Sequence, residues 1–203
     1  MMNHKTLHPA HDNDTHHHDS DATDVFGFWL YILTDCILFG CLFATFLVLN
    51  SPGYPGPMLK NYIKLDDVLL ETFLLLVSNF TFCLAILNLY AEKLRKVQLW
   101  LGVTFLLGAG FITMEVTEFI HLANEGFRWD VSGAISAFFA LVGTHGLHVS
   151  FGLLWILIMI VQLPLIQSNP IKRRRMTYLG LFWNFLDIVW IFVFTIVYLM
   201  GVI

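Results

Sequence analysis

SAFFALVGTHGLHVSFG, residues Ser136 to Gly152, decides the fold. It sets His145 and His148 three residues apart inside a run, Gly133 to Leu163, that contains no Asp, Glu, Lys or Arg. At about 1.5 Å per residue such a run is long enough to cross about 30 Å of hydrocarbon as one helix. The three-residue spacing puts both imidazoles on one helix face. Ala137, Ala140, Thr144, His148 and Gly152 recur at spacings of three or four. A stripe of small residues like this predicts the close approach of a second helix.

The rest of the chain has the same character. Of its 203 residues 57% are hydrophobic and 13% charged, with 19 Phe. A soluble domain of this size could not bury so much apolar surface, so the class is an all-α polytopic membrane protein. The net charge of −4 arises largely in the first 24 residues, where five Asp face one Lys. Nothing in that distribution is a nucleic-acid footprint. Cys36, Cys41 and Cys83 lie inside apolar spans without CxxC spacing, which suggests small packing residues and neither a disulfide framework nor a zinc site. The N-terminus is polar and not basic, so no cleavable signal peptide is expected and the first span is its own insertion signal.

Two segments are expected: a solvated tail over 1–24 and a five-helix transmembrane bundle over 25–203. The tail holds His4, His8, His11, His16, His17 and His18 among aspartates. Its composition predicts disorder, with a proton antenna as the functional alternative to an inert tail. The spans are expected at about 26–49, 68–90, 97–119, 135–163 and 178–203, with the Lys172–Arg175 run (KRRR) in the last loop and Trp129 an interfacial anchor. Asp35 interrupts the first span, and Asn184 and Asp187 the fifth. Glu71 opens the second, and Glu115 and Glu118 end the third, with His121 beyond them.

Depth sorts these polar groups into two layers. Asp35, His145, His148, Asn184 and Asp187 fall near mid-membrane, and Glu71, Glu115 and Glu118 form an acidic group near the outer face. An ionisable side chain facing lipid costs about 3 kcal/mol at the helix centre, so the mid-membrane set should face other helices. Three chemistries use such residues. A metal or haem site on His145, His148, Asp35 and Asp187 would make the chain an autonomous membrane oxidoreductase. A relay of acids and imidazoles would move protons, but the inner third of every span is apolar. Interhelical hydrogen bonding, each His donating to an Asp, is the structural alternative. No catalytic site is expected: there is no nucleophile elbow, phosphate loop or dinucleotide fingerprint.

THGLHV (Thr144 to Val149) preceded by Ser136-Ala137-Phe138-Phe139, FWNFLDIVW (Phe182 to Trp190), MEVTE (Met114 to Glu118) and DCILF (Asp35 to Phe39) together resemble subunit III of the haem-copper terminal oxidases. The resemblance covers about Val25 to Gly201. Five spans rather than seven are similar to its quinol-oxidase branch, of cytochrome o type. The resemblance implies a non-catalytic subunit in a bacterial cytoplasmic membrane, part of a proton-pumping quinol oxidase. It implies no haem, copper or other metal in this chain, with haems and copper in the partner catalytic subunit I. It also implies phospholipid bound between helices and a role in proton uptake. Subunit III of a cytochrome c oxidase, or a nitric-oxide-reductase-associated homologue, is the nearest alternative. Asn184 stands where the family usually has His.

Basic residues set the expected orientation. Lys5, Lys93, Arg95, Lys96 and Lys172 to Arg175 share one side, against Lys60, Lys64 and Arg128 on the other. The positive-inside rule then places the N-terminus in the cytoplasm and the C-terminus outside. Reporter fusions after Lys172 and after Ile203 should report opposite compartments; the same compartment for both would contradict this topology.

Overall fold

The computed structural model describes residues 13–50, 65–124, 132–166 and 168–199. Five long helices account for nearly all of them: α1 (Asn13–Leu49), α2 (Leu65–Tyr90), α3 (Leu94–Asn124), α4 (Gly133–Gln162) and α5 (Asn169–Val193), the last continued by a π-helical segment, Phe194–Leu199. There is no strand among the described residues. Each helix contains a stretch long and apolar enough to span a bilayer. Large apolar side chains such as Phe80, Leu106 and Phe151 point outward. That arrangement suits lipid as the outer solvent.

The chain divides into two compact units, one ending at Cys36 and one beginning at Ile37. In the second unit α2, α3, α4 and α5 pack in a ring, each against the next and α5 back against α2. The C-terminal part of α1 lies on this ring through Phe39, whose ring meets those of His145, His148 and Phe185, and through Phe43 against Phe192.

Glycines let the helices close. Trp183 of α5 is buried between Gly108 of α3 and Gly152 of α4. A Cβ on Gly152 would lie 2.9 Å from Trp183 Cζ3, and one on Gly108 would lie 2.7 Å from Leu153 Cδ2 and 3.1 Å from Trp183 Cη2. Gly180 admits Phe82 in the same way, at 2.9 Å. The indole fills what would otherwise be a void at the centre of the ring.

The turn between α2 and α3 is made by a residue other than glycine. Glu92 adopts a left-handed backbone (φ 56°). The Glu92 N–H bonds the Leu89 carbonyl at 3.1 Å and the Lys93 N–H the Asn88 carbonyl at 3.0 Å. Those two bonds form a Schellman cap. The Glu92 carboxylate accepts from Asn169 at 3.2 Å and lies 3.9 Å from Arg173, which itself sits over the Tyr90 ring. A carboxylate here ties the α2–α3 turn to the start of α5.

Several boundaries differ from the expectation. Helix α1 begins at Asn13, inside the stretch read as a solvated tail, because a helix nucleated by an apolar span extends at little cost per residue. Helix α5 begins at Asn169 and takes in the KRRR run, with Pro170 in its first turn, where a missing N–H is harmless, and with Lys172 buried. Helix α3 reaches Asn124, so Glu115, Glu118 and His121 all lie within it. Cys36, Cys41 and Cys83 face outward and do not pack inside. The buried stripe of α4 runs through Ala137, Leu141, His145, Val149 and Gly152; it shares Ala137 and Gly152 with the small-residue stripe, whose Thr144 and His148 are half-buried and whose Ala140 is exposed. The aromatic partners Phe111, Trp190 and Trp183 fill that row and bring His145 to its centre. Trp129 lies outside the described residues.

Gly152→Ala should lower the thermal midpoint of the detergent-solubilised protein, because displacing Trp183 costs about 1–3 kcal/mol. That exceeds the gain of about 0.5–1 kcal/mol expected from Ala over Gly in a helix. Gly102→Ala, where an added Cβ meets nothing within 4 Å, should leave the midpoint unchanged or raise it.

Candidate functional site

The interior polar groups of the second unit fall into three sets. The first joins α2 to α5. Asn79 Nδ2 donates to Asp187 Oδ2 at 3.0 Å, Trp183 Nε1 donates to Ser78 Oγ at 3.3 Å, and Trp190 Nε1 donates to Thr72 Oγ1 at 3.1 Å. Ser78 and Thr72 in turn donate to carbonyls of their own helix, Leu75 and Val68, at 2.7 and 2.8 Å. Each hydroxyl therefore both donates and accepts. Thr81 and Thr104 share a 2.8 Å bond between α2 and α3, and Gln98 of α3 donates to the Ile160 carbonyl of α4 at 3.1 Å. At the rim, Arg175 of α5 donates to Gln162 Oε1 of α4 at 2.9 Å, so side-chain bonds run across all four of the ring's seams.

The second set surrounds His145, which has no exposed surface. Its ring stacks on Trp190 at 5.3 Å between centroids and meets Phe111 and Phe39 edge-on at 6.1 and 6.2 Å. Neither ring nitrogen has a hydrogen-bond partner among the described residues. The expected bond from this imidazole to an aspartate is replaced by aromatic contact, because rings from three helices occupy the space an acid would need. His148, one turn on, has Nδ1 2.8 Å from the Thr144 carbonyl of its own helix and packs on Phe39.

The third set lies at the end of the ring where α2 starts and α3 finishes. Glu71 of α2 and Glu115 and Glu118 of α3 come close enough for their carboxyl groups to interact, and the buried Tyr198 hydroxyl faces Glu118. Glu115 is buried beside Gly146 of α4, and neither of its oxygens has a hydrogen-bond partner among the described residues. The neighbouring cleft of about 410 Å³ is lined by Asp67, Glu71, Thr113, Met114, Thr117, Glu118, His121 and Leu122.

Glu71, Glu115 and Glu118 come together. Asp187 is buried and bonded to Asn79; Asn184, three residues earlier, is exposed. Asp35 belongs to the first unit, where it is buried and accepts a hydrogen bond from Tyr31 one turn before it. The side chains of His4, His8, His11, His16, His17 and His18 lie outside the described residues. The partners that sequence reasoning missed are Thr72, Ser78, Asn79 and Tyr198. The Ser78-Asn79 pair was visible as a polar break within the second apolar span.

Among the described residues no three His, Cys, Asp or Glu side chains are grouped to hold a metal ion. Around His145 the space is shared by Trp190, stacked on the imidazole, and by Phe111 and Phe39, edge-on to it.

The sequence matches the family model for cytochrome c oxidase subunit III over residues 13–202. The chain belongs to the cytochrome c oxidase subunit III family. It is 54% identical to cytochrome bo(3) ubiquinol oxidase subunit 3 of Pseudomonas putida, covering 91% of this chain and 89% of that one. Identity is 44% to the subunit of the same name from Buchnera aphidicola subsp. Baizongia pistaciae, over 90% and 94% of the two chains. A cytochrome c oxidase subunit 3 from Bacillus sp. (strain PS3) is 42% identical over 87% and 86%. The chain is accordingly a multi-pass membrane subunit, and its interior groups work within one component of an oxidase.

The Asn79–Asp187 bond predicts energetic coupling. In a double-mutant cycle with Asn79→Leu and Asp187→Leu, the two losses of stability should fail to add by about 0.6 to 1.7 kcal/mol, the range of interhelical hydrogen bonds in membranes. Strict additivity would show that the bond carries nothing.

Proposed function

We propose that this chain is the non-catalytic subunit III of a quinol-oxidising haem-copper terminal oxidase in a bacterial cytoplasmic membrane. Near full-length similarity to ubiquinol oxidase subunits, 54% in the Pseudomonas putida case, carries the reading. It is supported by an interior given over to helix pairing and aromatic packing. In this role haems and copper reside in the partner catalytic subunit I and supply the electron transfer and oxygen reduction there. This chain's own residues hold a rigid helical surface against that subunit. Its outward apolar side chains, Phe80 and Leu106 among them, provide the faces on which phospholipid packs, and the subunit helps sustain proton uptake. The relative named as a cytochrome c oxidase subunit, 42% identical, makes the electron donor the point to test.

Affinity-tagged chain, solubilised from membranes in mild detergent, should bring down a haem-bearing subunit and consume oxygen with ubiquinol and not with reduced cytochrome c. The same chain produced without its partners should contain no haem. Stoichiometric haem in the isolated chain would overturn the assignment, and activity with cytochrome c alone would move it to the other branch.

A further inference from the structure

The cleft of about 410 Å³, at the end of the ring where α2 starts and α3 finishes, offers a ligand mostly acceptors. Asp67 and Glu71 of α2 and Glu118 of α3 bring carboxyl groups to its wall, with Glu115 close enough to interact with the two glutamates. Thr113 and Thr117 line it too, and their hydroxyl protons are already committed. Thr113 donates to the Gly110 carbonyl and Thr117 to the Thr113 carbonyl, each at 2.7 Å. What these oxygens present to the cleft is lone pairs. Among the described residues, His121 is the only lining side chain that can carry positive charge, and it stands against three carboxyl groups.

Glu71 sets this cleft apart from a row of surface acids. Only 1% of it is exposed, yet it lines the cleft, and its Oε2 has no hydrogen-bond partner among the described residues. The same holds for both oxygens of the buried Glu115 behind it. A buried carboxyl group without a partner forgoes the bonds water would give it, and like charges side by side repel. A ligand with positive charge and several hydrogen-bond donors removes both penalties. A bare metal ion suits the arrangement poorly: it needs its oxygens within about 2.0–2.6 Å, and no three His, Cys, Asp or Glu side chains are so grouped among the described residues. A primary ammonium group reaches further. It points three N–H donors outward and bonds carboxylate oxygens at about 2.7–2.9 Å.

We propose that this cleft binds a primary ammonium group between Glu71 and Glu118, with the threonine oxygens as further acceptors. The span of α2 begins at Asp67, so Glu71, four residues on, lies about 6 Å deeper. At that depth the ammonium group can come from an aminophospholipid headgroup or from a soluble amine. The proposal concerns this chain's own cleft and does not depend on the subunit reading.

Ethanolamine is the probe. The full chain, with the partners that co-purify with it, is exchanged into phosphatidylcholine nanodiscs, and ethanolamine binding is followed by saturation-transfer NMR. Saturable binding is expected. Choline, with the same charge and no N–H donor, should bind at least about tenfold more weakly. Glu71→Gln and Glu118→Gln should each weaken ethanolamine binding by about tenfold or more, and Glu92→Gln, at the opposite end of the ring, should leave it unchanged. If the headgroup is the source, phosphatidylethanolamine in the discs blocks ethanolamine, and native mass spectrometry finds that lipid retained by the unmodified chain and lost from Glu71→Gln. If a free amine is the source, the added lipid leaves ethanolamine binding as it was. Choline binding as tightly as ethanolamine would overturn the proposal, as would binding that survives both glutamine substitutions. So would the absence of both saturable ethanolamine binding and retained phosphatidylethanolamine.

Discussion

Hydrocarbon supplies no hydrogen bonds, and this constraint organises the interior of the ring. Along the α2–α5, α2–α3 and α3–α4 seams, polar side chains meet partners on another helix or on their own backbone, whereas His145 is enclosed by aromatic rings instead and Glu115 lies among other acids. The α2–α5 seam shows the first solution, where Asn79, Ser78 and Thr72 meet Asp187, Trp183 and Trp190. Because Ser78 and Thr72 also donate to their own carbonyls, each indole N–H finds an acceptor without leaving an orphaned hydroxyl. Two tryptophans thereby bring large apolar bodies into the core with their single polar atoms satisfied.

Those indoles connect the polar seam to the packing. Trp183 fills the space that Gly108 and Gly152 leave open, and Trp190 stacks on His145 while meeting Phe111 at 4.7 Å. A change at Asp187, between them on the same helix, would disturb both the α2 bond and the angle at which α5 delivers its rings. The acidic end of the ring is different. Glu71, Glu115, Glu118 and Tyr198 are held together by burial from three elements, and the adjoining cleft opens beside them.

Helix number and membrane class were legible because a span announces itself by length and hydropathy alone. The free run from Gly133 to Leu163 became α4, Gly133–Gln162, almost residue for residue. The acidic group was also readable, since Glu71, Glu115 and Glu118 lie near the ends of adjacent antiparallel helices. Facing was harder. His145 and His148 are one turn apart, and only the aromatic side chains of other helices determine that the first is enclosed. Charge misled at Lys172 to Arg175, where four basic residues looked like a loop but follow a helix-starting Pro170. Asn79 escaped notice because its partner, Asp187, lies 108 residues away. Asn184 was read as an interior residue from depth alone, and depth does not specify which side of a helix a residue occupies.

The most direct measurement of the polar seam is the side-chain amide of Asn79, observed by NMR in the selectively labelled, detergent-solubilised protein. A bond to Asp187 predicts that one of its two N–H protons is shifted downfield and exchanges slowly with solvent, and that both features are lost in Asp187→Leu while the fold is retained. An Asn79 amide whose two protons both lie at the ordinary positions of a solvated side-chain amide and exchange rapidly in the unmodified protein would contradict the account.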